Sequence, residues 1–224
     1  MKKWIFITGA LLCFTTGFSQ FIFGVQASGN LASARIQNEA DFNYDRNRKV
    51  LPGGGVFAEY GLNERFAIRG GINYLENGVT LKTLVDAESN MTVKLSNRFD
   101  YLQAPITLMY NWPASRLQYF VGMGGYFGYG ISGKSKATLR YTMPDGNEMA
   151  TSEVLDAFRS EEEGGLGLRR SDFGLTALAG IKLQNGLFAQ VGYQVGLADI
   201  NKDAGASYRN NGIQLAVGYY FLRK

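Results

Sequence analysis

The chain has 224 residues, with 23 Lys and Arg, 19 Asp and Glu, no His and a single Cys, Cys13. These counts exclude an internal disulfide, zinc sites built from four cysteines or from two cysteines and two histidines, and every catalytic triad that needs an imidazole base. The net charge of +4 is too small to indicate a nucleic-acid partner, and 13% aromatic residues with 4 Pro exclude a disordered composition.

The N-terminus has the pattern of a secretory signal peptide. A basic start at residues 1–3 is followed by an apolar stretch over 4–14, and the small residues Gly17 and Ser19 close the segment. This order of basic, apolar and small residues is typical of a cleaved signal, so we predict a signal peptide over 1–19. An anchoring helix is the weaker alternative, because a helix that spans a bilayer needs about 20 apolar residues.

The remainder of the chain, 20–224, alternates between bulky apolar and small or polar residues in eight segments. Within 187–198, for example, Val191 and Tyr193 share one parity and Gln190 has the other. Alternate residues of a strand face opposite sides, so each segment indicates a strand with one bulky apolar face. The eight segments are 24–31, 54–62, 66–75, 101–112, 117–132, 173–183, 187–198 and 213–221.

The connections between these segments alternate between short and long. The short ones are 63–65, 113–116 and 184–186, and the long ones are 32–53, 76–100, 133–172 and 199–212. We therefore predict an all-β protein, an eight-stranded antiparallel up-and-down transmembrane β-barrel with short periplasmic turns and long extracellular loops. An even number of strands would place both termini on the periplasmic side of the outer membrane.

The distribution of charge indicates which face of the strands meets water. The eight segments contain only three charged residues, Glu59, Arg69 and Lys182. A soluble sheet usually carries many charges on its wet face, so we expect the apolar face to meet lipid and the polar face to fill a narrow interior. A secreted sandwich or lipocalin-like barrel is the alternative. Candidates for interfacial aromatic girdles are Phe66, Tyr74, Tyr101, Trp112, Phe173, Tyr219 and Phe221.

Glu59 and Arg69 are the candidate interior site. A tight turn after Leu62 would place the two residues directly opposite each other, with both side chains inside the barrel. Opposite charges across a strand pair contribute about 0.2–1 kcal/mol on a surface, and removal of one partner costs more when the pair is buried. We predict a structural interior salt bridge, and a gate or an ion path is the alternative.

Four further motifs have structural and functional interpretations. The G-x-G-x-x-G run 128–133 lacks a helix after it, so glycines in a crowded barrel wall are favoured over a dinucleotide site. Pro105 cannot donate to a sheet, so we expect a bulge or local break there. The apolar spacing in 152–159 predicts a short helix capped by Ser152, and 161–163 is a solvated acidic run rather than a metal site.

The chain resembles a known family of barrels in three places. The predicted signal is followed by a Tyr-Leu-Gln-Ala-Pro-Ile run at 101–106 and by a closing Gly-Tyr-Tyr-Phe at 218–221. Together with the eight-strand rhythm, these features are similar to the small outer-membrane β-barrel proteins of Bacteroidota, often described as PorT-like. The resemblance implies the fold and the location, and some relatives are implied to assist a secretion system. The chain departs from many barrels by continuing past Phe221 with 222–224.

These features predict a non-enzymatic integral outer-membrane protein that acts through its extracellular loops or as an accessory subunit of an outer-membrane complex. A narrow channel or small-ligand-binding barrel is the alternative. A hydrolase is disfavoured because, without His, its general base would have to be Asp, Glu or Lys, and no paired carboxylates fall at matching heights on neighbouring strands. We predict no catalytic, cofactor-binding or metal site. The expected partners are outer-membrane lipid, lipopolysaccharide and other outer-membrane proteins. Bulky residues on the inward parity argue for a blocked lumen: Phe57, Phe120, Tyr126 and Phe188.

Overall fold

A computed structural model describes residues 21–38, 45–47, 49–86, 91–112, 114, 116–143, 147–202 and 206–221. The signal peptide predicted over 1–19 lies outside these residues. The strands are β1 (Phe21–Asn38), β2 (Asp45–Asn47), β3 (Lys49–Gly61), β4 (Phe66–Asn77), β5 (Thr80–Asp86), β6 (Met91–Trp112), β7 (Leu117–Thr142), β8 (Glu148–Asp156), β9 (Ser171–Leu183), β10 (Leu187–Gly196) and β11 (Ala206–Phe221). One short 3-10 helix, Glu161–Glu163, accompanies them, and no helix of the described ranges is long and apolar enough to cross a membrane.

Eight of the strands close into a ring. The chain runs up and down through β1, β3, β4, β6, β7, β9, β10 and β11, each paired antiparallel with the next. The first and last strands then pair with each other, from Phe23 opposite Phe221 to Asn38 opposite Ala206. The predicted eight-stranded antiparallel up-and-down barrel is therefore confirmed.

The apolar parity of the strands points outward, as the alternation predicted. Val191 is 47% exposed and its neighbour Gln190 is 8% exposed. The same contrast runs around the ring, where large apolar side chains are exposed while amides, hydroxyls and aromatic rings fill the interior. A soluble barrel would bury the apolar set, because removing such surface from water is the main driving force of folding.

Short turns join the strands at one end of the barrel, called the turn end. At the 62–65 turn, the Asn63 side-chain oxygen accepts hydrogen bonds from the backbone N–H groups of Arg65 and Phe66 at 2.9 and 2.8 Å. At 184–186, Gly186 has a φ of 92°, which suits glycine because it has no Cβ. The other end, with the long connections, is called the loop end.

The strands extend beyond the predicted segments at the loop end. β6 begins at Met91 rather than at Tyr101, and β7 continues to Thr142 rather than ending at Ser132. The extended parts pair with each other, with β5 on one side and with β8 on the other. Much of the predicted loops 76–100 and 133–172 is therefore a sheet that projects past the barrel.

The alternation changes sense where this projecting sheet begins. In β6 the outward residues Leu102 and Ile106 are apolar, whereas beyond Asp100 the outward residues are Arg98 and Lys94. A bulge in the β6–β7 pairing at the same level skips Ile131. The outward face is therefore apolar along the barrel and polar above it, as expected where a sheet leaves hydrocarbon and enters water.

Two local predictions are wrong. The stretch 152–159 is not a helix, because 148–156 forms strand β8 against β7 and a bend follows. The stretch with helical apolar spacing is short, and the backbone hydrogen bonds to β7 stabilise the strand instead. Tyr101 is not part of a girdle, since it points into the barrel and is 1% exposed. The other six girdle candidates are exposed on the outer surface: Phe66, Tyr74, Trp112, Phe173, Tyr219 and Phe221.

Pro105 interrupts one ladder without changing its register. In the β4–β6 pairing, Gly70 lies opposite Ile106 and Asn73 lies opposite Gln103, while the two positions between them are unpaired. Proline has no N–H to donate, so the gap falls where this donor is missing. The expected local break is present, and the bulge of this region lies further along β6, between Asp100 and Tyr101.

Candidate functional site

The barrel interior is filled in three layers. The layer at the turn end, called the base cluster, consists of packed apolar and aromatic side chains: Phe57, Ala67, Met109, Phe120, Phe188 and Tyr220. Their rings meet edge to face, with centroids 5.6 Å apart for Phe57 and Phe188 and 5.1 Å apart for Phe188 and Tyr220. Edge-to-face pairs of this kind add about 0.5–1.5 kcal/mol beyond the area they bury.

Arg69 lies in the centre of the base cluster. Its guanidinium donates hydrogen bonds to Glu59, to Gln190 Oε1 at 3.0 Å and to the Tyr220 hydroxyl. The guanidinium carbon is also 4.9 Å from the centroid of the Phe57 ring, close enough for a cation–π contact. An arginine held on so many sides is fixed in position and closes the lumen at this level.

Glu59 and Arg69 lie directly opposite each other in the β3–β4 pairing. Arg69 Nη2 is 3.0 Å from Glu59 Oε2, and both side chains are buried. The Tyr220 hydroxyl donates to the same carboxylate oxygen at 3.1 Å. Lys182, the third charge of the predicted strands, places Nζ 4.7 Å from the Tyr220 ring centroid. The Glu59 carboxylate is therefore surrounded by cationic and hydroxyl donors, and nothing in the sequence indicated the roles of Tyr220 and Gln190.

The middle layer is polar and is linked by hydrogen bonds. The Gln190 amide donates to Gln26 at 3.2 Å, and Gln26 donates to Asn73 at 2.9 Å. Gln103 and Gln194 donate to each other across the barrel at 3.3 and 3.0 Å. A cavity in this layer, lined by Gln26, Thr107 and Gln190 among others, has a volume of about 40 Å³. That space holds no more than about two or three waters, which is too little for a hydrated ion path.

The layer at the loop end, called the mouth cluster, is again apolar and aromatic. It consists of Val79, Phe99, Tyr101, Ala157, Phe158, Ile200 and Tyr208. Phe158 and Ile200 belong to the connections that follow β8 and β10, so the chain between strands folds inward to cover the mouth. The cover is tied down by backbone bonds, including Arg169 N–H to the Ile200 carbonyl at 2.8 Å and Ala157 N–H to the Gly133 carbonyl at 3.0 Å.

Phe158 fits into a seat made by two glycines of the G-x-G-x-x-G run. A Cβ on Gly130 would overlap the Phe158 ring, and one on Gly133 would lie 2.8 Å from ring carbon Cε2. The guanidinium carbon of Arg170 lies 5.0 Å from the centroid of the Phe158 ring. The same guanidinium donates a hydrogen bond to the Gly130 carbonyl at 3.0 Å. The run lies wholly within β7, so its glycines make room in a crowded wall and no nucleotide loop is formed.

Asp199 organises the second covering segment. Its Oδ1 accepts hydrogen bonds from the backbone N–H of Tyr208 at 2.9 Å and from that of Asn201 at 3.1 Å. Partial burial by itself would raise the pKa of Asp199, but these hydrogen bonds and nearby Arg209 outweigh it and lower the pKa below the ordinary value. The ionised carboxylate therefore holds Ile200 over the mouth.

The sheet beyond the mouth is a second candidate site. β8 pairs with β7 alone among the described residues, so its outer edge leaves backbone N–H and C=O groups without strand partners. Nearly every side chain of β8 is exposed. Such an edge can accept another extended chain.

A carboxylate pair occurs at the root of this sheet, contrary to the sequence prediction. Glu76 of β4 and Asp100 of β6 lie directly opposite each other on the outer face. Arg98 lies between them, with Nη2 2.5 Å from Glu76 Oε1 and Nε 3.7 Å from Asp100 Oδ1. Arg98 contacts both carboxylates, and the three side chains stand on the outer wall rather than in a cleft, so the arrangement is that of an ion-pair network.

Comparison with known families identifies the class of protein. The profile of the outer membrane protein beta-barrel domain family matches residues 18–202. The chain belongs to this family, and it is an integral β-barrel protein of the outer membrane. The predicted location is thereby confirmed, and the exposed apolar band is the surface that meets lipid. No curated protein matches the sequence significantly.

Solved outer-membrane barrels are similar to this chain in fold. Ail, the attachment invasion locus protein of Yersinia pestis, is 14% identical, with 89% of this chain and 99% of Ail covered at a TM-score of 0.40. The outer membrane protein OprG from Pseudomonas aeruginosa is 14% identical, with 91% and 96% covered at 0.46. Neisserial surface protein A is 14% identical, with 89% and 97% covered at 0.37.

Proposed function

We propose that this chain is a non-enzymatic, non-conducting outer-membrane barrel that acts as an accessory subunit through the sheet at its loop end. The observation that carries the proposal is the contrast between a lumen filled in three layers and an open edge strand, β8, beyond the membrane. A partner would add an extended segment to β8 through backbone hydrogen bonds. The resemblance to PorT-like barrels of Bacteroidota supports a place beside a secretion system.

The chemistry of β8 favours a basic partner segment. The strand contains Glu148, Glu153 and Asp156 and no Lys or Arg. Pairing of two β8 strands about a twofold axis at Ser152 would set Glu148 opposite Asp156, and like charges directly opposite are destabilising. The acidic edge therefore disfavours self-association and favours an extended chain that carries Lys or Arg.

The proposal includes an orientation, with both termini in the periplasm and the loop end outside the cell. The support is that β1 begins and β11 ends at the turn end, where the connections are short. Outer-membrane barrels usually have their short turns in the periplasm. Protease added to intact cells should then cleave in the projecting sheet and leave the turn end untouched. Cleavage restricted to permeabilised cells would contradict this orientation.

Cross-linking in cells tests the β8 edge. A photoreactive residue at Ala150 should give a discrete adduct, and the adduct should disappear in the Glu148→Lys/Glu153→Lys variant, because the edge has lost its acidic character. The matched control is Glu161→Lys/Glu162→Lys, which changes the same charge on an exposed turn of the loop end and should keep the adduct. Docking at this edge would be refuted if the wild type gave no adduct, or if the Glu148→Lys/Glu153→Lys variant kept the adduct as the control does.

Planar-bilayer recording tests the closed lumen. The purified full chain should give no steady single-channel current, because the base and mouth clusters leave no continuous aqueous path through the described residues. The Phe158→Ala variant should also give no current, because the base cluster still closes the lumen. A steady wild-type current would favour the narrow-channel alternative.

A further inference from the structure

The outer face of the projecting sheet carries an array of cations from three strands. These residues, called the basic face, are Lys82 of β5, Lys94 and Arg98 of β6, and Lys134, Lys136 and Arg140 of β7, all of them exposed. They share one face because the pairing register brings outward positions together, with Arg98 opposite Lys134 and Ser96 opposite Lys136. The opposite face carries Leu95, which packs against the mouth cluster.

The register also sets like charges directly against each other. Lys82 lies opposite Lys94, and Arg98 lies opposite Lys134. Such pairs repel and weaken strand pairing. Within the side chains that the structure describes, the salt bridges of this region involve Arg98 alone, which contacts Glu76 and Asp100. Asp45 lies opposite Lys82 and Asp156 lies opposite Lys134 in the neighbouring strands. Lys94, Lys136 and Arg140 have no acidic residue opposite them, so these three cations keep positive charge that an external anion would neutralise.

The position of the basic face identifies the kind of anion. The face continues the lipid-facing wall of the barrel, with Arg98 four positions beyond outward Leu102, roughly 13 Å along the strand. Arg140 lies nine positions beyond Ile131, or about 30 Å along its strand. Because the face looks sideways rather than up from the membrane, the groups in front of it belong to molecules that stand in the same leaflet.

We propose that the basic face binds the phosphate groups of lipopolysaccharide molecules that stand beside the barrel in the outer leaflet. The inference rests on the proposed orientation, which puts the loop end outside the cell. Arg98 is held by Glu76 and Asp100, so the cations most available to phosphates lie farther along the face. Lys136, Lys94 and Arg140 would meet phosphates farther from the hydrocarbon, on the glycan portion of the same molecule.

A binding measurement on the refolded full chain tests the proposal. The probe is fluorescent rough lipopolysaccharide, compared with the same material after chemical removal of its phosphates. The variant Lys94→Gln/Lys136→Gln/Arg140→Gln is expected to bind the intact probe at least about tenfold more weakly than wild type, as loss of three phosphate-binding cations implies. The control Arg65→Gln/Arg116→Gln/Lys202→Gln loses the same charge elsewhere and should bind like wild type. Removal of the phosphates from the probe should weaken its binding to the wild type as much as the three substitutions weaken binding of the intact probe.

Two outcomes would overturn the proposal: equal binding by the variant and the control, or equal binding of intact and dephosphorylated probe. A third arm uses heparin as a soluble polyanion. If heparin binding depends on the three cations and lipopolysaccharide binding does not, the ligand is a soluble polyanion and the lipid assignment is wrong. The binding assay needs neither the cellular orientation nor the β8 partner, so its failure and that of the proposed function are distinguishable.

A stability measurement supplies an independent readout. Without lipopolysaccharide, Lys94→Gln should raise the melting temperature, because Lys94 no longer repels Lys82. With lipopolysaccharide, the melting temperature of wild type should rise and that of the triple variant should not, since a ligand that binds the folded state stabilises it. A melting temperature that falls in Lys94→Gln without ligand would show that the lysine is needed for folding and would contradict the proposed repulsion.

Discussion

The ring of Phe158 occupies the space that a side chain on Gly130 would fill. The two residues belong to different parts of the chain, one in the connection after β8 and the other in the barrel wall. Arg170 completes the arrangement by stacking on the ring. The seat at Gly130 therefore decides whether the connection folds into the mouth of the barrel or stays outside it.

Gly130→Ala should displace Phe158 and release the connection that contains it. The Cβ would overlap the ring, and the cost of forcing extra volume into a packed site is about 1–3 kcal/mol. Trypsin should then cut the detergent-solubilised variant at Arg159 or Arg169, which are exposed in the wild type but lie in segments held by backbone hydrogen bonds. The cleavage pattern is read by mass spectrometry.

Gly125→Ala is the matched control on the same strand. The nearest atom to a Cβ there is the Gly174 carbonyl oxygen at 3.5 Å, an ordinary contact. This variant should keep the wild-type resistance to trypsin. Equal cleavage of the two variants would mean that loss of any glycine from β7 releases the connection, and that the seat for Phe158 is not what holds it over the mouth.

Arg69→Ala should destabilise the barrel more than Glu59→Ala/Arg69→Ala. The single change leaves the buried Glu59 carboxylate without its cation partner, and breaking a buried pair in this way costs about 3–5 kcal/mol. The double change removes both charges and leaves a smaller electrostatic penalty. Thermal unfolding in detergent measures both, and equal shifts in melting temperature would contradict the coupling of the two charges.

Val191→Arg should weaken the barrel by roughly 2–4 kcal/mol when it is folded in lipid vesicles, the cost of a cation on the lipid face near the bilayer centre. Val154→Arg in β8 makes the same change at a similarly exposed position beyond the barrel, where the side chain meets water. Its free energy of unfolding should stay near that of wild type. Denaturant titrations with both variants measure the difference, and similar losses would place Val191 outside hydrocarbon.

Asp199→Ala should lower stability by about 0.5–2 kcal/mol at neutral pH, because two backbone N–H groups lose their acceptor. The pKa of Asp199 is lowered in the folded state, so its ionisation contributes stability above the unfolded pKa, roughly 3.9. That contribution is lost as pH falls through the lower folded value. The gap in melting temperature between wild type and variant should narrow below about pH 4, and a gap that is constant with pH would rule out an ionic contribution.

Strand alternation within the barrel was readable from the sequence because two environments impose it. Lipid outside and a crowded interior leave a different residue type on each face, so Val191 and Gln190 were assigned to the correct sides. The same rule failed above the membrane. There the outward residues are cations and the inward residue Leu95 packs on the mouth, so the apolar parity of β6 reverses at Asp100 and the strand appeared to end.

The short helix expected over 152–159 shows a second kind of failure. Its apolar spacing is compatible with a helix, but the ready edge of β7 offered pairing for nine residues of β8. Backbone hydrogen bonds to a strand outside the local window cannot be read from local spacing. The contacts of Arg69 with Gln190 and Tyr220 were missed for the same reason, because they join residues 121 and 151 positions apart.

The sequence by itself determined the number of barrel strands, the surface that meets lipid and the register of Glu59 with Arg69, since each follows from period-two patterning and one tight turn. Only the tertiary structure decided that the mouth is closed by Phe158 and Ile200, and that cations from three strands share one face. Both features bring together side chains that are far apart in the chain. They depend on closure of the strand ring and on the bulge at Ile131, which sets the register of β6 with β7 beyond the barrel.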